Sequence, residues 1–243
     1  MEQSGTSINK FISETGFCSR READKYIETG RVTINEKEAK KGNRVEVNDI
    51  VKIDGEFLQS KKSPVYLALH KPKGITCTTD LKDKTNIVNF IKYKSRIFPV
   101  GRLDKFSEGL IFLTNDGDIV NKILRAGNGH EKEYVVTVDK NIDVEFIKKM
   151  SSGIPILGTV TKKCFVKQEG EKQFRIILTQ GLNRQIRRMC GALNYKVTSL
   201  IRVRIMNITL KGLPKGRWRY FSPEEISEVN EMIGNSSKTA TRI

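Results

Sequence analysis

"VGRLDKFSEGLIFLTNDGD" (Val100–Asp118) sets a single aspartate, Asp104, ahead of the apolar run Leu110–Leu113. A short apolar run between a glycine and a turn reads as a buried strand. Asn115-Asp116-Gly117 is turn chemistry, and an acid at the start of the next helix caps it, which explains these acids better than a metal site does. Asp104 is harder to place. In a chain of net charge +16, an acid at the mouth of a buried strand is surface decoration, an ion-pair partner or a reactive group. An isolated aspartate there most often caps a turn or pairs with an arginine, and "GRLD" alone does not decide.

Outward from this strand, helices and strands mix without strict alternation. "VYLAL" reads as a strand, "TNIVNFIKY" as a helix, "DIVNKILRAG" as a helix and "KEYVVTVD" as a strand. "DVEFIKKM" is a helix, "KCFVKQ" and "FRIILTQG" are strands, and "LNRQIRRMCGAL" is a helix. "VTSLIRVRIMNITL" is one extended segment, and "SPEEISEVNEMI" is a helix with Ser222 as cap and Pro223 in its first position. The pattern is α+β rather than doubly wound. The first sixty residues form a separate unit of helix, helix and small sheet. Ile8, Phe11 and Ile12 share one face, Ser19 and Glu22 make a capping box, and Asn35 and Gly55 mark turns. "EFLQSKKSP" (Glu56–Pro64) reads as a linker. The expected division is a small domain over 1–63, a larger one over 64–233, and a disordered tail over 234–243.

Four scattered cysteines (Cys18, Cys77, Cys164, Cys190) form no CxxC pair, and with two histidines a zinc site is not expected. Unpaired thiols and the lack of a membrane-spanning or signal segment point to a cytoplasmic protein. The charge is unevenly spread. Met1–Ser63 holds twelve Lys/Arg against eleven Asp/Glu, whereas Lys172–Pro223 holds twelve Lys/Arg and no acid. A long acid-free stretch points to a polyanion, because each phosphate neutralised releases counterions.

Three further segments accompany the aspartate motif in order: "LHKPKGI" (Leu69–Ile75), "EKEYVVTV" (Glu131–Val138) and "QGLNRQIRRM" (Gln180–Met189). With "GRLDKFSEGLIFLTNDGD" this set resembles the RsuA family of bacterial pseudouridine synthases. "NRQIRRMC", "ILRAGNGHEKEY" and "GIPILGTVTKKC" look most like the F branch of that family, which acts on the large ribosomal subunit. The resemblance runs from about Ser7 to Ile233 and departs at His70, where asparagine is usual, and at Ser107, often threonine. It implies a mainly antiparallel mixed sheet flanked by helices, preceded by a small RNA-binding domain of ribosomal-protein type. It also implies conversion of uridine to pseudouridine in large-subunit ribosomal RNA, with tRNA as a second substrate.

The same resemblance assigns roles. Asp104 is the nucleophile or base, and the reaction needs no redox step, so no cofactor and no metal are expected. Arg187 matches the basic residue paired with that aspartate; a desolvated carboxylate takes up a proton unless a cation holds it ionised, and a guanidinium can pair through two parallel bonds. Tyr134 matches the tyrosine that stacks on the target uracil, which must leave its helix to be reached. Arg102, Leu103, Lys105, Arg184, Gln185 and Arg188 flank the two motifs and are placed against RNA. Arg20 and Arg21, at a helix start where phosphate meets free N–H groups, are placed there too. Two other readings exist: a non-catalytic RNA-binding or ribosome-assembly factor of the same fold, and a basic DNA-binding regulator, for which no recognition-helix motif is present. The protein is expected to act as a monomer.

Overall fold

The computed structural model describes residues 5–58, 63–234 and 236. The chain divides into two compact units, one of Met1–Pro64 with Tyr93–Arg96, the other of Val65–Lys92 with Ile97–Ile243.

The first unit opens with β1 (Thr6–Ser7), α1 (Ile8–Glu14) and α2 (Arg20–Glu28). Strands β2 (Val32–Ile34), β3 (Lys37–Glu38), β4 (Arg44–Val45), β5 (Val51–Ile53) and β6 (Glu56–Phe57) follow. The order β3-β2-β5-β6 makes a four-stranded sheet, and β1 pairs with β4. Two hairpins use the same device. Asn35-Glu36 and Asp54-Gly55 all have positive φ, between 50° and 83°, as two-residue turns of the twist-matching kind require. The second hairpin corrects the linker reading: Glu56–Phe57 pairs with β5, and Asp-Gly was the signal. The linker's residues 59–62 lie outside the described residues. Ile8, Ile12, Ala23, Ile27, Val32 and Ile53 form the core of this unit. At the start of α2, the Ser19 side chain accepts from the Glu22 N–H and the Glu22 carboxylate accepts from the Ser19 N–H.

The second unit contains β7 (Tyr66–Lys71), α3 (Ile87–Ile91), β8 (Phe98–Val100), β9 (Glu108–Thr114), α4 (Gly117–Leu124) and β10 (Lys132–Val138). It continues through α5 (Val144–Ser152), β11 (Pro155–Ile156), β12 (Thr159–Val160), β13 (Phe165–Gly170), β14 (Gln173–Leu178) and α6 (Gln185–Ala192). It closes with β15 (Val197–Ile205), β16 (Ile208–Thr209), β17 (Trp218–Tyr220) and α7 (Pro223–Gly234). The main sheet runs β13-β14-β10-β15-β9-β7-β17, with β8 beside β9 and β16 beside β15. Its ladders are antiparallel except β15 with β9. The fold is α+β with a largely antiparallel mixed sheet, as the sequence implies.

All seven residues of β9 are buried, so the apolar run at 110–113 is the middle of a covered strand. One core cluster packs α5 and α6 on β10, β14 and β15 through Phe146, Met150, Phe174, Ile176, Met189 and Leu200. A second packs α4 and α7 on β7 and β9 through Ala68, Leu110, Phe112, Ile119, Phe221 and Val229. The segment read as one extended run breaks at Met206, whose φ of 53° turns it into a hairpin, β15 to β16. The Ser222 cap is present: its hydroxyl accepts from the Glu225 N–H at 3.2 Å. Asp116 caps α4, accepting from the Asp118 N–H and the Tyr66 hydroxyl. The tail expected over 234–243 falls outside the described residues apart from Gly234, the last residue of α7, and Ser236, which bonds His130 at 2.9 Å.

Candidate active site

Gly109 shapes the ground on which the site is built. Its φ is +120°, and a Cβ there would lie 2.3 Å from the Arg202 carbonyl oxygen. Only glycine lets β9 approach β15 this closely, and the approach brings the segment that begins at Asp104 up to the sheet. Asp104 and Ser107 bracket a turn closed by a Ser107 N–H bond to the Asp104 carbonyl at 3.0 Å. The turn is tied from behind by "HKPKG". The fully buried Lys71 ammonium donates to the carbonyls of Pro72, Ile75 and Lys105, and the Gly74 N–H donates to that of Lys105.

A cleft of about 600 Å³ opens in front of this turn. Asp104, Tyr134 and Arg187 all line it, together with Arg102, Leu103, Lys105, Arg184 and Gln185. Arg187, 83 residues away in sequence, donates through Nε to Asp104 Oδ2 at 3.3 Å. The pair is single rather than bidentate, because the other two nitrogens are engaged: Nη1 with the Val197 carbonyl at 3.3 Å and Nη2 with the Ser107 hydroxyl at 3.2 Å. The Ser107 hydroxyl therefore orients the arginine, a link the sequence did not reveal. His70 is turned elsewhere, with Nδ1 3.0 Å from the Leu213 carbonyl and Nε2 3.4 Å from Glu108, whose other oxygen pairs with Lys215. Lys215 first, and His70 after it, hold the Glu108 carboxyl below its usual range, against the opposing effect of burial.

The flanking residues sort by exposure. Arg102, Lys105 and Arg184 are exposed at the cleft, and among the described residues none of them forms an ion pair. Leu103 is buried, with its N–H on Cys77 Sγ, and Gln185 is buried with its side-chain Oε1 accepting from the Leu182 N–H. Both shape the wall rather than offer a polar group. Arg188 does not line the cleft; its guanidinium bonds Asn183 at the carbonyl and the side-chain oxygen. Arg20 and Arg21 are exposed in the first unit, where Ser19 and Glu22 already serve part of the helix start. The acid-free stretch is not free charge throughout. Arg175 and Arg204 both pair with Glu133, Lys215 with Glu108, and Arg219 with Glu225, because strand and turn pairing bring acids from elsewhere in the chain. Among the described residues no group of three or more His, Cys, Asp or Glu side chains could hold a metal ion.

Two lining cations were not expected: Lys132 and Arg202. Both are buried, at 7% and 4% exposure. The signal for Lys132 was strand alternation, which puts it on the face that Tyr134 occupies. Arg202 is the cross-strand partner of Tyr134, a pairing that no local pattern gives.

An RNA pseudouridylate synthase family profile matches residues 65–192, and an S4 domain profile matches residues 7–51. The chain belongs to the RNA pseudouridine synthases. It is 55% identical over 239 residues to the dual-specificity RNA pseudouridine synthase RluF of Escherichia coli strain K12, covering 98% of this chain and 82% of that protein. It is 34% identical to the ribosomal large subunit pseudouridine synthase B of Yersinia pestis, over 98% of this chain and 80% of that one. A crystal structure of a pseudouridylate synthase superposes with a TM-score of 0.68 at 27% identity, over 93% of this chain and all of the other. The enzyme's first unit thus carries an S4 domain, and its cleft lies wholly in the second. No helix among the described residues is long and apolar enough to cross a membrane.

Proposed function

We propose that this synthase isomerises uridine to pseudouridine at a defined position in large-subunit ribosomal RNA and accepts a tRNA as a second substrate. The large-subunit class is carried over from the name of one relative and the dual specificity from that of another; tRNA as the second class rests on the resemblance read in the sequence. The observation that carries the site assignment is the Arg187–Asp104 pair beside Tyr134 in one cleft. Asp104 is the reactive carboxylate, acting as nucleophile or base on a uridine flipped into the cleft. Arg187 aims it, and the half-buried Tyr134 offers a flat ring for the base to stack on and a hydroxyl at its tip. Arg102, Lys105 and Arg184 meet the phosphates on either side of the flipped nucleotide, and Arg20 and Arg21 of the S4 unit contact RNA.

The test is pseudouridine mapping across total RNA from cells with and without the protein, complemented with wild type or Asp104→Asn. Wild type should restore a discrete ribosomal site and Asp104→Asn should not, although it binds the RNA. The Asp104→Asn protein should likewise fail to release tritium from ring carbon five of labelled uridine. Release at the wild-type rate would make Asp104 an ordinary turn residue. A map that never changes would favour an assembly factor of the same fold.

A further inference from the structure

The cleft holds more buried positive charge than Asp104 can use. Arg102, Lys105 and Arg184 are exposed at its edge, but Lys132 and Arg202 are buried. Their placement follows from the sheet. Lys132 and Tyr134 are two residues apart on β10 and so share a face, and Arg202 on β15 is the register partner of Tyr134. Leu178 and Leu200 line the same cleft. A stacking ring, two apolar side chains and two cations therefore share one wall.

Their hydrogen bonding is unfinished. Arg202 spends Nε on the Leu110 carbonyl at 2.7 Å, and its Nη2 is sealed from solvent with no acceptor. Lys132 donates one of its three N–H bonds, to the His130 carbonyl at 2.9 Å. Among the described residues neither forms an ion pair. Burying two neighbouring like charges without an acid is expensive, and a fold that keeps them has a use for donors aimed at negative charge. The cost is visible at Lys132, where burial and then Arg202 push the ammonium down to about 8.

On the reading above, the group entering this cleft is a uracil. We propose that Lys132 and Arg202 bind the carbonyl oxygens of the target uracil and stabilise the ring as an anion while it is detached from the sugar. The electrons balance. When C1′–N1 breaks, its bonding pair leaves with the uracil, and the charge spreads from N1 onto the carbonyl oxygens. Asp104 meets the electron-deficient sugar, either by bonding to C1′ or by taking the C2′ proton. The ring turns and C5 gives a pair to C1′; as it does so the Asp104–C1′ bond breaks, or the proton held by Asp104 returns to C2′, so that Asp104 is released unchanged. The C5 proton is then lost and N1 gains one, so the product is an isomer. Both cations serve before and after the turn, because uracil carries a carbonyl on either side of N3 and the charge travels with the ring. A backbone phosphate, bulky and strongly hydrated, fits the exposed arginines at the edge better than these buried donors.

The test pairs protein and substrate changes. Single-turnover rates are measured on a synthetic RNA bearing the uridine that mapping identifies, with O2, with O4 or with neither replaced by sulfur, a poor hydrogen-bond acceptor. The rate ratio of oxygen to sulfur RNA in wild type should exceed that in Arg202→Met or Lys132→Met by about tenfold or more for at least one oxygen, since a charge-assisted bond lost on one side cannot be lost again on the other. RNA affinity should stay within about twofold. Equal ratios in wild type and both variants would overturn the inference, as would a defect lying wholly in RNA affinity with a flatter salt dependence, which would make the pair a phosphate site. Should Arg202→Met fail to fold, Lys132→Met, which removes a costly buried charge, gives the same comparison alone. A wild type that leaves the unsubstituted RNA unchanged refutes the enzyme assignment, and this inference falls with it.

Discussion

Gly109→Ala should damage this enzyme far more than a single methyl group suggests. The residue holds φ at +120°, and its missing Cβ would meet the Arg202 carbonyl oxygen at 2.3 Å and the Arg202 nitrogen at 2.5 Å. Both are backbone atoms of a central strand and cannot swing aside. The backbone strain costs about 1–2 kcal/mol and the enforced separation about 1–3 kcal/mol, giving roughly 3 kcal/mol together. In a unit of this size, each kcal/mol moves Tm by about 2–4 °C, so melting should fall by about 6–12 °C. Activity should fall further than stability, measured at a temperature where the variant is folded. The same joint sets the turn that carries Asp104, and misplacement by about 1 Å can cost about a hundredfold in rate. Gly117→Ala is the control. Gly117 is the first residue of α4, is not among the positive-φ glycines, and a Cβ there would have nothing within 4 Å. Scanning calorimetry and tritium release on both variants decide the matter. If Gly109→Ala melts within about 2 °C of wild type, the close approach of β9 to β15 is not holding the sheet.

Lys132 makes stability depend on alkaline pH. Its folded proton affinity, near 8, lies below the ordinary lysine value of 10.5, so the unfolded chain binds the proton more tightly. The cost is fully present below about pH 8 and is relieved as pH rises from there to about 10.5. Lys132→Met should melt higher than wild type at pH 7 and should lack this contribution to the pH dependence; parallel melting curves from pH 7 to 10.5 would contradict it. Arg184→Ala should reduce the slope of log RNA affinity against log salt by a little under about one unit. Arg188→Ala, whose guanidinium is already bound to Asn183, should change the slope much less, and the reverse order would misplace both side chains.

The sequence carried the element types well because each rested on local physics. The capping boxes at Ser19 and Ser222 and the apolar run of β9 are complete within a few residues. Asp104, Tyr134 and Arg187 entered through motifs and meet in one cleft. What stayed hidden depends on partners distant in the chain. Arg202 faces the cleft because β15 pairs with β10, Ser107 orients Arg187 across 80 residues, and Glu133 neutralises two arginines of the stretch that looked free. Charge counting sees composition and not pairing, so it overstated the basic surface. The Asp54-Gly55 hairpin is locally legible, but the polar residues beyond it have the composition of a linker.

The sheet order gives β15 a consequence for how the molecule comes into being. Without it and the β16 strand it carries, the sheet falls into two islands, β13-β14-β10 on one side and β8, β9, β7 and β17 on the other. Tyr134 belongs to the first island, and the turn with Asp104 is attached to the second. Synthesis runs from the N-terminus, and β15 begins only at Val197. A nascent chain therefore carries every motif named in its first 190 residues while the strand that joins them is missing. Closing the sheet is a late, long-range event of the kind that slows folding. On the function proposed above, the chemistry is thereby withheld until β15 has been made, and shorter growing chains lack a working cleft.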